Sequence, residues 1–346
     1  ADTIRSLARI QENGFLQEGA KPVHWCLDCG SALADAEVEY EDKKSPAIDV
    51  GFSVVDTKAL ASALGFTHLY EPVFAVIWTT TPWTLPANLG LCVGPELDYV
   101  FVRDNASQAV YLIAQARVET YYKNADDYSI LKTVKGSDIA GWKYEPLLPY
   151  FTDNENSFQI LQDDFVSTES GTGIVHMAPA YGEDDYRICK DAGIGIVDPL
   201  DAEANFTARV PEYAGQFCKD TAKAIIRRLK DERKLIHQRT ISPSYPFCER
   251  TETPLIYRAI DAWYVKVEDL NERMLANNDK VDWVPDHVGS ARCGNRLRDA
   301  KDWNISRNRF WGSCIPVWVN VEDKTDCICV GSIDELEALS GVRVDD

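Results

Sequence analysis

Apolar positions along the chain fall into short alternating or continuous runs rather than long helical stripes. Residues 48–55, 73–78, 89–93, 99–103 and 109–114 each form such a run, and each predicts a strand. Short strands at this spacing favour a barrel or sandwich over a doubly wound sheet. Helical periods interrupt the pattern. Ile4, Leu7, Ala8 and Gln11 lie on one stripe that stops at Gly14, a good residue to end a helix. Residues 115–124 predict a helix, as do 220–234, where Ala222, Ile225, Ile226 and Leu229 share one face behind a cap at Asp220 or Thr221. Residues 37–41 alternate like an exposed strand, and the polar stretch 42–46 reads as a boundary. The pattern predicts a mixed α/β, mainly β fold.

Two turns carry the chemistry. In the first, an apolar run from Val73 delivers Trp78, Thr79, Thr80 and Thr81, after which Pro82 and Pro86 deny the backbone a regular continuation through Trp83, Thr84 and Asn88. Hydroxyls on successive strand residues point to alternating faces, so at least one must enter the cleft that this strand end borders. A hydroxyl donates and accepts at once, which suits a ribose or a carbonyl. In the second, Gly171-Thr172-Gly173 precedes a short apolar strand ending at His176, and Pro179 with Gly182 bends the chain into an acidic helix start, Glu183-Asp184-Asp185. Acidic residues in a first helical turn suit the macrodipole, but Asp185 lies deep enough to turn back toward the strand end. A lone histidine after a strand reads as structural. If the two turns face each other, hydroxyls, an imidazole and a carboxylate converge on one cleft.

Composition narrows the class. The 346 residues are 45% hydrophobic and 26% charged, as in an ordinary globular protein, and no apolar run approaches the ~18 residues of a membrane span. A cytoplasmic protein is expected. The net charge of −19 disfavours an extended nucleic-acid surface but permits a local one. Arg227, Arg228 and Lys230 form one basic cluster, and Arg296, Arg298, Lys301, Arg307 and Arg309 another. Ten scattered cysteines argue for reduced thiols. Cys26-x-x-Cys29, with Gly30 as its turn residue, has the form of half a tetrahedral zinc site, whereas Cys327-x-Cys329 reads as strand cysteines alternating in and out.

W-T-T-T-P-W-T-L-P-A-N at 78–88 together with G-T-G-I-V-H-M-A-P-A-Y-G-E-D-D-Y at 171–186 resembles the editing domain of the isoleucyl-tRNA synthetase family. Valyl and leucyl relatives carry Arg-Pro after the threonines, where this chain has Pro82-Trp83. Segments around His24-Trp-Cys26, Ser244–Trp263 and Asn304–Pro316 are similar to those that bracket the editing insertion in that family. The H-x-G-H and K-M-S-K-S signatures of amino-acid activation are absent from the sequence. The resemblance therefore implies a fragment: residues 1–45 as a helix and Cys-x-x-Cys stalk, 46–236 as an editing β-barrel domain with surrounding helices, and 237–346 as the return stalk and start of the following core segment.

The implied activity is hydrolysis of the ester in tRNA(Ile) mischarged with valine, with valyl-adenylate as a further substrate, by water and without a covalent intermediate. Amino-acid activation is not expected of the fragment. By the resemblance, Asp185 binds the α-ammonium, and Thr79, Thr80 and Thr81 hold the terminal adenosine and the ester. His176 closes the side-chain pocket against isoleucine, and Trp83, Thr84 and Asn88 line the same cleft. The implied partners are the tRNA 3′ end and the rest of the synthetase chain, with a monomer expected. Zinc-bearing relatives pair the first C-x-x-C with a second. Here Cys248-Glu-Arg-Thr251 supplies one thiol, so weak or absent zinc is expected, with Cys26, Cys29 and Cys248 as its candidate ligands and no cofactor required for editing. The competing reading is a non-catalytic module that binds the tRNA 3′ end.

Overall fold

The computed structural model describes residues 2–34, 37–66, 69, 71–307, 314–323 and 325–343. By compactness the chain forms two units: residues 22–29 with 35–259, and residues 1–21 and 30–34 with 260–346. Arg309 and the middle of the 304–316 segment lie outside the described residues.

The larger unit is built on β1 (Ser45–Ser53), β2 (Val73–Thr79), β3 (Gly90–Val93), β4 (Asp98–Asp104), β5 (Val110–Ala114), β6 (Tyr128–Lys135), β7 (Gln159–Gln162), β8 (Ile174–Met177) and β9 (Leu235–Ile241). Six of them form one sheet in the order β9-β1-β2-β5-β4-β6, and three form a second in the order β7-β3-β8. All five strands predicted between 48 and 114 are present to within a few residues. The fold is mixed α/β and mainly sheet, as the hydrophobic pattern implied. The expected barrel takes the form of two sheets. Among the described residues no ladder joins the outer strands β9 and β6, so the six-stranded sheet stays open.

Burial explains why this sheet holds together. β1, β2, β4 and β5 are buried along most of their length, and their Val, Ile and Phe side chains suit a pleated surface covered on both faces. The two sheets meet where β8 lies against β2. Tyr99 fastens the join: Gly94 N–H donates to its hydroxyl at 2.9 Å, and the hydroxyl donates to the Gly173 carbonyl at 2.6 Å. Gly173 is required by space as well as by its φ of +79°, because a Cβ there would stand 2.4 Å from the Ala114 Cβ.

The helix predicted over 220–234 spans Ala222–Asp231 and buries Ile225, Ile226 and Leu229. Thr221 occupies its N-cap, but the hydroxyl donates backward to the Cys218 carbonyl at 2.6 Å instead of capping the helix. The helix predicted over 115–124 is a short 3₁₀ turn followed by Val118–Tyr121.

In the smaller unit, helix Asp2–Glu12 ends as its sequence implied. Gly14 adopts φ +76°, Gly14 N–H donates to Gln11 and Phe15 N–H to Ile10, a Schellman closure. Cys327–Cys329 is indeed a strand, but the alternation differs from expectation: Ile328 is the exposed residue and Cys329 is buried. Residues two apart on a strand share a face, so the two cysteines could not alternate.

Candidate functional site

The threonine turn and the histidine strand are tied into one network. After β2 the chain makes a buried 3₁₀ turn, Pro82–Ala87, and returns as β3, which pairs antiparallel with β8 so that His176 lies opposite Leu91. The Thr84 hydroxyl donates to the Thr81 carbonyl at 2.9 Å and stands 3.0 Å from His176 Nε2. Asn88 Nδ2 donates to the Gly90 carbonyl at 2.8 Å and stands 3.4 Å from His176 Nδ1. The Tyr144 hydroxyl donates to Asn88 Oδ1 at 2.8 Å.

These bonds fix the tautomer. Tyr144 and Gly90 set the orientation of the Asn88 amide from both sides, so its NH₂ faces Nδ1, which must accept. Nε2 then carries the proton and donates to Thr84, whose own hydrogen is committed to Thr81. Burial holds the His176 pKa down at about 4, so the ring is neutral near pH 7. Both ring nitrogens are thus engaged and the ring is uncharged.

The remaining threonines sit beside this network. The Thr79 hydroxyl is 3.3 Å from that of Thr81 and accepts the Thr81 N–H at 3.1 Å. Thr79 is buried, whereas Thr80 and Thr81 are partly exposed. Among the described residues the Thr80 hydroxyl has no side-chain partner. The Trp83 ring packs edge-on against Tyr181, with centroids 5.0 Å apart. Tyr181 in turn donates to Asp198 at 2.9 Å, and Asp198 is held by the buried Arg258 at 2.7 Å.

Asp185 belongs to the same neighbourhood but not to the same network. It lies in the first turn of helix Glu183–Asp191, and its Oδ2 accepts the N–H of Ala178, the residue following β8, at 2.8 Å. A Cβ at Gly182 would stand 2.7 Å from its carboxyl carbon, so only glycine lets the carboxylate fold back onto the turn. Burial raises its pKa to about 7, the neighbouring Asp184 adds to the rise, and the Ala178 N–H opposes it. Among the described residues, no hydrogen bond joins Asp185 to the threonines.

Three thiols gather elsewhere in the larger unit. The ligand atoms of Cys26, Cys29 and Cys248 lie within 4.8 Å of one another, with Cys29 and Cys248 sulfurs 3.7 Å apart. The position of a fourth ligand is taken by Thr251, whose hydroxyl is 3.4 Å from the Cys26 sulfur. Burial and the neighbouring sulfurs push the Cys29 thiol up to about 11. Burial raises Cys248 too, but the Thr251 hydroxyl and the N–H groups of Arg250 and Thr251 outweigh it and leave it at about 7. The set offers zinc three sulfurs and a hydroxyl, one good ligand short of a closed structural site.

All ten cysteines are free thiols, and among the described residues no helix is long and apolar enough to cross a membrane. In the first basic cluster Arg228 is committed to Glu232, Glu212 and Tyr150. In the second, Arg307 donates to the carbonyls of Asn304 and Ser306.

Residues 1–344 match the family model described as tRNA synthetases class I (I, L, M and V). The chain belongs to this family. It is 45% identical over 344 residues to an isoleucine–tRNA ligase of Bdellovibrio bacteriovorus, covering 98% of this synthetase chain and 31% of that protein. It is 41% identical over 347 residues to the cytoplasmic isoleucine–tRNA ligase of Mus musculus, covering 98% of this chain and 26% of that one. The chain thus spans about a third of the length of these relatives. Among solved structures, the editing domain of the P. knowlesi cytosolic leucyl-tRNA synthetase is similar with a TM-score of 0.45 at 12% identity, covering 59% of this chain and 98% of that one.

Tyr144, Tyr181, Asp198 and Arg258 are the supporting residues that the sequence motifs did not point to. Tyr181 lies inside the second motif without having been singled out, the other three lie outside both motifs, and only the fold carries Tyr144 to Asn88 and Arg258 to Asp198.

Proposed function

We propose that this chain is the editing portion of an isoleucyl-tRNA synthetase and hydrolyses the ester of valine misattached to tRNA(Ile). The observation that carries the reading is the closed relay from Tyr144 through Asn88 and His176 to Thr84 and Thr81, which presents the threonine turn as a rigid surface one strand away from the Asp185 carboxylate. The need for a second site is physical. One methylene in an apolar pocket is worth only ~1–3 kcal/mol, a limit for which isoleucine against valine is the standard illustration.

In this reading Asp185 receives the α-ammonium of the misattached amino acid. An incoming cation favours the ionised carboxylate and thereby returns the raised pKa toward its ordinary range. The hydroxyls of Thr80 and Thr81 hold the terminal ribose and the ester, and Thr79 keeps Thr81 in place. Neutral His176 forms an unyielding wall of the acyl pocket, and Trp83 offers a packing face steadied by Tyr181. Water attacks the ester carbonyl, positioned by the threonines and by substrate hydroxyls, since the network holds no free base and no nucleophile–base pair. The leaving group is the ribose hydroxyl, which takes the proton lost by the water.

The chain also takes its place beside the rest of a synthetase, which supplies amino-acid activation and most of the tRNA contact. A deacylation assay with Val-tRNA(Ile) and Ile-tRNA(Ile) tests the reading. Release of valine at a rate well above that of isoleucine is expected. Retention of the mischarged tRNA on the chain without hydrolysis would replace this reading by that of a binding module.

A further inference from the structure

The six-stranded sheet carries a second cleft, unrelated to the two motifs and independent of the editing reading. Along β2, Val76 and Trp78 point to the face opposite Thr79. On that face a half-open cavity of about 430 Å³ is floored by Val76, Ile113 and Ile236 and walled by Tyr111, Tyr121 and Tyr122. This volume falls within the ~300–1,000 Å³ typical of small-molecule sites. Carboxylates gather at the edge: Asp104, partly exposed, and Asp126 and Asp127, both exposed.

A buried charge lies behind two of the lining residues. Asp49 on β1 is 1% exposed and faces His237 of β9 across the ladder. Its Oδ1 accepts the Tyr121 hydroxyl at 2.8 Å. Its Oδ2 is buried and has no hydrogen-bond partner among the described residues, with His237 Nδ1 3.8 Å away. An unsatisfied carboxylate oxygen is costly to bury, and the Nε1–H of Trp78, opposite Asp49 on the paired strand, is likewise buried without a partner among the described residues. Burial pushes the Asp49 carboxyl up, while Tyr121, Arg239 and His237 pull it down, so a nearby cation would complete what these three begin. Tyr121 and His237 both line the cavity and both touch Asp49, so the unpaired oxygen lies one side chain behind the open space.

Tyrosine faces and carboxylates together suit one ligand class. An ammonium group is attracted by the aromatic faces and forms charge-assisted bonds to carboxylate, while its organic body covers the aliphatic floor. We propose that this cleft binds a small organic cation, a protonated amine on an apolar body, with its ammonium toward the carboxylates at the edge, in the field of Asp49 behind Tyr121 and His237, and its body against Tyr121 and Tyr122.

The test uses the full 346-residue chain with phenethylamine as the probe and 2-phenylethanol as its uncharged counterpart, followed by calorimetry and by the tyrosine ring resonances. Saturable binding of the amine is expected, with the alcohol weaker by about tenfold or more, a difference of ~1.4 kcal/mol. Asp49→Asn, which keeps the shape and removes the charge from behind Tyr121 and His237, should weaken the amine by a smaller factor. If that variant does not fold, the double variant Asp126→Asn with Asp127→Asn, at two exposed positions, should still reduce affinity and its dependence on salt, and Tyr122→Leu should reduce affinity at constant salt dependence. No saturation at millimolar amine, equal binding of amine and alcohol, or affinity unchanged in every folded variant would overturn the proposal.

Discussion

His176, buried, and Asp185, partly buried, stand on either side of one turn and respond to the loss of water in opposite senses. The histidine is surrounded by partners that complete it: each ring nitrogen has one, and each of those partners is itself satisfied. Desolvation removes its charge, and the neutral ring loses nothing by it. The aspartate has the Ala178 N–H and little else to offset the loss of water, so its pKa rises to about 7 and its charge is held at a cost. A complete network is what a scaffold needs, and an incomplete one is what a binding group needs. Under the function proposed above, the comparison fits positioning by the first residue and recognition by the second.

The most severe way to test that assignment is Asp185→Ala. Deacylation of Val-tRNA(Ile) should fall by on the order of 10²-fold or more, because the ammonium loses its anchor and the ester its alignment. Thermal stability should hold or rise, since the buried carboxylate is removed. A loss of stability with activity retained would reverse the roles of the two residues.

Next in size is the relay. Thr84→Val leaves His176 Nε2–H buried without an acceptor and should cost ~1–3 kcal/mol in denaturant unfolding. Asn88→Ala and His176→Ala should cost less together than the sum of their separate effects, because they remove members of one network.

The pH dependence separates the two residues by sign. The folded pKa of His176 lies below the unfolded value, so its contribution to stability is present above about 6.5 and is lost as the pH falls toward about 4. The folded pKa of Asp185 lies above its unfolded value, so its ionised form destabilises the fold above about 7, and stability is regained as the pH falls toward about 4. The two slopes oppose one another across that window. Unfolding free energy in Asp185→Asn should therefore drop more steeply on acidification than in the parent chain. Deacylation should increase as the pH rises through about 7 in the parent and lose that step in the variant.

The smallest effect concerns the thiols. Three sulfurs and the Thr251 hydroxyl should hold zinc below one ion per chain, as measured by elemental analysis after dialysis. Thr251→Cys should raise the content to one per chain. Full occupancy in the parent chain would show that a hydroxyl or water suffices as the fourth ligand.

Much of this was legible in the sequence because local chemistry and tertiary position coincide. The strands over 48–114 are mostly buried runs rich in Val, Ile and Phe, and the fold keeps them as strands. The two motifs meet through Thr84, Asn88 and His176 because β3 pairs directly with β8. What was not legible depends on contacts between distant segments. Nothing near Tyr144 marks it as the donor to Asn88, and Thr221 looks like a cap until its hydroxyl finds the Cys218 carbonyl nearer to hand. The division into sheets was likewise hidden. Strand spacing restricts the choice to a closed or a layered β structure, whereas the edges β6 and β9 are decided by which chain reaches them.

The near-contact of position 173 with Ala114 extends this reasoning to other members of the family. A relative that keeps alanine at 114 and this seam between the sheets has no room for a Cβ at 173 and should keep glycine there.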